Sequence, residues 1–154
     1  MMNNIQIRSA TIEDLPSLLK FEEGIISAER PFDETLAAEK FHYYDLGARI
    51  KDTEAEVVVA EIDGIVIGSG SAVIKKGNSY NTFDDYSFLG FMYVEPAFRG
   101  KGVNQLIIAK LVEWSGKKGL KEIRLQVYSD NLPAIKAYEK VGFKKILTEM
   151  RFTH

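Results

Sequence analysis

Four consecutive residues, Arg99-Gly100-Lys101-Gly102, place two cations and two glycines where an apolar run gives way to a helix-periodic one. The apolar run, Phe88 to Val94, reads as a strand and is stopped by Glu95-Pro96; a short link, Ala97-Phe98, follows. Beyond the turn, Val103, Leu106, Ile107, Leu111 and Trp114 recur at helical spacing, so the turn falls at a helix N-terminus. The first amides of a helix lack internal partners, and the helix dipole adds partial positive charge there. Glycines let a phosphate approach those amides, and Arg99 and Lys101 add full charges. This is the chemistry of a pyrophosphate cradle; the alternative is a plain turn with two solvated cations. The GxxxxGK[ST] order of nucleotide triphosphatases is absent. The dinucleotide pattern GxGxxG also fails, because Gln105 stands where its third glycine belongs.

A second constellation is Asn131-x-x-Ala134-x-x-x-Tyr138-x-x-x-Gly142-Phe143. Asn131 and Tyr138 are seven residues apart, hence on nearly one helix face and about 10 Å apart along the axis. Ala134 between them leaves room for something to lie across that face. Read alone, Asn131 is equally a helix cap and Tyr138 equally a core residue.

The remaining composition narrows the classes. The chain has 154 residues, a net charge of −2, no cysteine and two histidines, His42 and His154. That length suits one domain over residues 1–154. The charge argues against nucleic acid as the main partner. Without cysteine there is no disulfide framework, thiol nucleophile or thiolate metal site, and two distant histidines favour neither a metal centre nor a histidine triad. No apolar run resembles a secretion signal or a membrane span, which predicts a cytoplasmic protein with no membrane partner.

The elements that must position these residues can be read in chain order. Ile5, Ile7 and Arg8 form a first strand. Thr11 reads as an N-cap with Asp14 at capping-box distance, opening a helix with Pro16 in its first turn. Its packed stripe is Ile12, Leu15, Leu18 and Leu19, and it ends near Gly24. Glu29 to Asp33 is a loop, followed by a short helix from about Glu34. Phe41, Tyr43, Tyr44 and Leu46 form an aromatic cluster, either peripheral packing or a substrate lip. Val57–Ile62 and Ile65–Ile74 flank Asp63-Gly64, a tight hairpin turn, and Gly68 and Gly70 suggest a bulge or a close backbone approach. Lys76 to Asp85 is a polar loop. Gly116 and Gly119 end the central helix, Glu122–Tyr128 is a strand, Asn131 to Val141 a helix, and Phe143–Phe152 a last strand. The order predicts an α/β domain with a mixed, mainly antiparallel central sheet flanked by helices.

Taken together, the two motifs resemble the GCN5-related N-acetyltransferase (GNAT) family. Its signature is a strand, then [QR]-x-x-G-x-[GA] opening a helix, then a further strand and N-x-x-A-x-x-x-Y-x-x-x-G-F. Here Arg99-x-x-Gly102-x-Asn104 meets the first motif except at its last position, and the second is met in full. The resemblance covers nearly the whole chain. It implies that Met92, Tyr93 and Val94 make backbone contacts with acetyl-CoA. Arg99, Gly100, Lys101, Gly102, Val103, Asn104 and Gln105 would bind its pyrophosphate, Asn131 would contact the pantetheine, and Tyr138 would face the sulfur.

Acyl transfer needs a neutral amine, a stabilised oxyanion and a protonated leaving thiolate. A backbone N–H near Met92 can serve the oxyanion and Tyr138 the thiolate. Where some relatives carry a glutamate base this chain has Gln126, which leaves Glu22, Glu23, Asp84, Asp85 or a water chain. Glu22 to Phe32 and the Lys76–Asp85 loop would bound the acceptor, making Glu22, Glu23, Phe32, Asp84 and Asp85 candidate substrate contacts. Their carboxylates suit a cationic amine of a small molecule or peptide, and a homodimer is one assembly open to such a chain. A different class, a non-catalytic acyl-CoA sensor, is separated from the enzyme by steady thiol release.

Overall fold

Asp63 and Gly64 both adopt positive φ, 50° and 79°. That pair of angles belongs to the turn whose twist matches the strands it joins. It closes the hairpin of β2 (Ala55–Ile62) and β3 (Ile65–Lys76). The computed structural model describes residues 4–154. Around the hairpin, β1 (Ile5–Ser9) pairs antiparallel with β2, and β4 (Asp85–Val94) pairs antiparallel with β3. A short β5 (Ile123–Arg124) joins β4 in parallel. The sheet order is β1-β2-β3-β4-β5, the mixed and mainly antiparallel sheet that the element order predicts.

Each face of the sheet carries its own core. Helix α3 (Val103–Lys117) packs Val103, Ile107, Ile108 and Leu111 against Val58, Ala60, Ile67, Ala72 and Leu89. A Cβ at Gly70 would come within 2.5 Å of Ile107 Cγ2, so the glycine sets how closely α3 can approach. On the opposite face, α1 (Leu15–Glu29) and α2 (Leu46–Lys51) bury Leu18, Phe21, Ile25 and Leu46 against Val57, Val59 and Phe91. Helix α4 (Leu132–Lys140) adds Tyr138 to the α3 side.

Four sequence expectations are corrected. Helix α1 does not end near Gly24 but runs to Glu29. A Cβ at Gly24 would lie 2.6 Å from the Tyr93 ring, so this glycine admits a neighbour and does not cap a helix. No helix starts at Glu34; the helix of this region is α2, capped by Asp45, which accepts from the Ala48 amide at 3.1 Å. The amides of Tyr43 and Tyr44 are instead taken by a side chain of α1, described below, which holds that stretch out of helix. The strand expected over Glu122–Tyr128 is paired only at Ile123 and Arg124. The strand expected over Phe143–Phe152 does not form and pairs with no strand among the described residues. Beyond Phe143 its apolar side chains stand in solvent, with Leu147 87% and Met150 90% exposed. A strand is stabilised by its neighbours, and a β-rich run cannot name one.

Candidate active site

β4 carries the site because its neighbour leaves it partway along. Only Ser87 and Phe88 pair with β5. Three residues further on, Phe91 adopts φ 56°, rare for a bulky residue, and the register with β3 slips between Ser69 and Ser71. The buried Ser69 hydroxyl donates to the Phe91 carbonyl at 3.0 Å and that of Ser71 to the Gly90 carbonyl at 3.3 Å, so the bulge is satisfied from inside. Beyond it, Met92, Tyr93 and Val94 run on without β5 at their side. The Tyr93 ring turns to α1, stacked on Phe21 at 4.9 Å.

At the end of β4 the glycine turn begins. Gly100 and Gly102 have φ of 74° and 84°, angles that a residue with a Cβ adopts only under strain. The first α-helical bond of α3 runs from the Leu106 amide to the Gly102 carbonyl, which leaves the Val103, Asn104 and Gln105 amides ahead of the ladder. The Arg99 Nε donates to the Val94 carbonyl at 2.7 Å, and its guanidinium lies 5.4 Å from the centre of the Tyr93 ring. Arg99 therefore braces the turn against the strand. Lys101 is exposed, its Nζ 3.4 Å from the Ala97 carbonyl. Helix-start amides, two positive-φ glycines and a lysine are a donor set suited to a pyrophosphate, so these residues fit coenzyme A.

On α4, the Asn131 Oδ1 accepts from the Ala134 amide at 3.4 Å, the N-cap expected of it. Tyr138 meets Phe143 edge-on at 5.9 Å between ring centres. Burial pushes its phenol up to about 12, and the charge of Glu29 and then Tyr44 add to the rise. It keeps its proton throughout the neutral range.

Among the residues named for the acceptor, the structure separates the carboxylates. Glu22 is buried: it accepts from the Tyr43 and Tyr44 amides at 2.9 and 3.0 Å and sits 2.6 Å from His42 Nδ1. It is a loop anchor. Glu23 faces outward to Lys40 at 3.4 Å. Phe32 stacks on Tyr128 at 5.9 Å. Asp84 and Asp85 lie at the start of β4, about 20 Å from Phe91 at the rise of a strand, and are not brought to the turn.

The structure also brings in residues the sequence did not single out. The Tyr44 hydroxyl accepts from the Phe91 amide at 3.3 Å, directly at the bulge, and the Arg49 guanidinium lies 4.7 Å from the centre of its ring. Glu29, the last residue of α1, is half-buried; burial raises its carboxyl, and the nearby Tyr43 hydroxyl opposes that rise. Tyr44 fell within the aromatic cluster and Glu29 within the predicted acceptor boundary. No local pattern marks either.

Comparison with known proteins agrees with this geometry. The sequence model of the Acetyltransferase (GNAT) family matches residues 18–143. The chain belongs to the GNAT family. A relative over most of the chain is the uncharacterized N-acetyltransferase MJ1207 of Methanocaldococcus jannaschii, 26% identical over 148 residues, covering 94% of this chain and 63% of that protein. The first curated relatives are matched over between 27% and 63% of their own lengths. Among solved structures, a mutant of the BH1408 protein from Bacillus halodurans superposes with TM-score 0.86 at 16% identity, over 97% of this chain and 99% of that one. The aminoglycoside N-acetyltransferase AAC(6')-Iy in complex with CoA superposes with TM-score 0.75 at 19% identity, over 97% and 98%. In GNAT terms the strand β4, the turn opening α3 and the Tyr138 helix are the two motifs on their expected elements.

Proposed function

We propose that this protein is an acetyl-CoA-dependent N-acetyltransferase that acetylates a primary amine of a small molecule or peptide. The observation that carries the reading is the junction at Phe91. There β4 loses β5, Met92 to Val94 run on uncovered toward the glycine turn, and Tyr138 approaches from the same side of the sheet as α3. Met92, Tyr93 and Val94 would orient the pantetheine arm through their backbone, and Asn131 its far end. Gly100, Lys101, Gly102, Val103, Asn104 and Gln105 would hold the pyrophosphate, with Arg99 stiffening the turn. The half-buried Asn104 side chain beside those amides is a further donor and acceptor.

When bound, acetyl-CoA supplies an activated acetyl thioester. A backbone N–H at or beside Met92, just past the bulge, would stabilise the developing oxyanion, being held by the strand before reaction starts. Tyr138 would give a proton to the departing sulfur. A phenol near 12 is a weak acid for a thiol ordinarily near 8.5. The transfer would require that burial beside Tyr138 raise the thiol as it raises the phenol.

Thiol release is readable without background, since the chain has no cysteine to react with a thiol reagent. Wild-type protein with acetyl-CoA and a panel of primary amines should release thiol steadily with at least one of them. Tight acetyl-CoA binding with no amine-dependent release from any member of a broad panel would replace the enzyme by an acyl-CoA-binding module.

A further inference from the structure

Three arginines of this chain hold carboxylates: Arg8 holds Asp14 and Glu61, Arg124 holds Glu122, and Arg151 holds Asp33. Arg49, on α2, is half-buried and pairs with no carboxylate among the described residues. The two acids that flank it in sequence are committed to backbone amides, Asp45 to that of Ala48 at 3.1 Å and Asp52 to that of Glu54 at 2.8 Å. A charge taken partly out of water costs free energy unless a partner offsets it. Burial accordingly lowers the Arg49 guanidinium from its ordinary value.

The contacts of Arg49 place it at the bulge. Its Nη1 donates to the Ser71 hydroxyl at 3.3 Å, and that hydroxyl donates to the Gly90 carbonyl at 3.3 Å. Its guanidinium carbon lies 4.7 Å from the centre of the Tyr44 ring, whose hydroxyl accepts from the Phe91 amide at 3.3 Å. The Gly90 carbonyl and the Phe91 amide are two ends of one peptide group, so Arg49 touches both side chains that hold it. A guanidinium presents five N–H donors in a planar fork. Nη1 is used inside the protein; Nε and Nη2 make no hydrogen bond to the described residues and keep access to solvent. The pyrophosphate cradle proposed above opens α3, which packs on the opposite face of the sheet from α2, so Arg49 is no part of it. Ser71 and Tyr44 are neutral, and a guanidinium without a second cation balances one negative charge. That suits a carboxylate better than a doubly charged phosphate.

Resting on the acetyltransferase reading, we propose that Arg49 binds a carboxylate of the acceptor, so that the substrate is a small primary amine that also bears a free carboxylate, as an amino acid does. Nε and Nη2 take the two carboxylate oxygens as paired donors, and the Tyr44 ring fixes the plane of the fork. The acceptor is thereby held beside the bulge, from which Met92 to Val94 continue. A peptide N-terminus, whose own carboxyl is an amide, lacks this handle.

The test uses amines matched in all but the carboxylate, L-norleucine against n-pentylamine and L-lysine against cadaverine. For each pair the ratio of kcat/KM is taken from thiol release with acetyl-CoA. Rates are referred to the concentration of neutral amine, because a carboxylate changes the pKa of the amine beside it. Wild type should prefer the carboxylate-bearing member by roughly 10- to 100-fold, the worth of a charge-assisted pair. R49Q should bring the ratio to about one, and R49K, which keeps the charge without the fork, should fall between. An Arg49 that only braces Ser71 and Tyr44 would lower both members of a pair alike and leave the ratio as it was. A second readout needs no turnover. With CoA present, L-norleucine or n-pentylamine is titrated into wild type carrying ¹⁵Nε-labelled arginine, the Arg49 signal being the one absent from R49K. That signal should shift with L-norleucine and not with n-pentylamine. Equal rates within each pair in wild type, an unchanged ratio in R49Q, or an Arg49 signal indifferent to L-norleucine overturns the proposal. Thiol release with no amine at all removes the acetyltransferase reading, and the titration then decides by itself whether Arg49 holds a carboxylate.

Discussion

The two halves of the site are built from different materials. The side proposed for the cofactor, from Phe91 through the turn to Gln105, is a backbone device: a bulge at φ 56°, two glycines at 74° and 84°, and helix-start amides. The side proposed for the acceptor is made of side chains that meet across long stretches of chain, such as Glu22 with Tyr44 or Asp33 with Arg151. Backbone chemistry tolerates change in most side chains and so reads as a short spaced motif. Side-chain chemistry needs the right residue at each of several distant positions, and it can be respecified without touching the other half.

If that division holds, substitutions on the acceptor side should alter turnover or stability without altering acetyl-CoA affinity. The largest effect belongs to Tyr138, which stands at the border. Tyr138→Phe should lower kcat by roughly 10²- to 10⁴-fold with melting temperature and acetyl-CoA affinity unchanged. Tyr138→Ala should in addition lose about 3 kcal/mol of stability, because the ring packs on the α3-side core. Near-normal turnover by the Phe variant, at a pH where chemistry limits the rate, would make Tyr138 a packing residue only.

A middle-sized effect is expected at Glu22. Glu22→Gln puts a donor NH₂ among the donors Tyr43 N–H, Tyr44 N–H and His42, at a cost of about 2 kcal/mol, or a melting temperature lower by about 4–8 °C. By loosening the loop that presents Tyr44, it should also raise the KM for the amine. A fall in acetyl-CoA affinity of similar size in this variant would break the division between the halves.

Legibility in the sequence follows the same line. The Asp63-Gly64 turn, the Arg99–Gly102 turn and the Asn131 cap were readable, because each is a local instruction written in adjacent or helically spaced residues. Gly24 was misread because its function, making room for Tyr93, is held by a residue 69 positions away. Tyr44 was seen only as part of a cluster for a similar reason: its hydroxyl accepts from the Phe91 amide, 47 positions along the chain. The last strand was over-read, since the alternation over Phe143–Phe152 carries no information about whether an edge is there to receive it.

That exposed segment gives the smallest prediction. Ile146, Leu147, Met150 and Phe152 are 69 to 90% exposed, so Leu147→Ser or Met150→Ser should change stability by about 0.5 kcal/mol or less. A loss of 2 kcal/mol or more on chemical denaturation would mean that these side chains are buried in solution.

The central claim, that the Arg99–Gln105 turn holds acetyl-CoA through its backbone, is tested most directly by calorimetric titration of acetyl-CoA into wild type and Gly102→Val. Valine is β-branched and strained at φ 84°, so the turn cannot keep its shape, while the site faces solvent and the core beneath is undisturbed. The account predicts saturable binding by wild type and an affinity weakened roughly 100-fold or more in the variant, about 2.7 kcal/mol, with the fold retained. Equal affinity in the two proteins would contradict it.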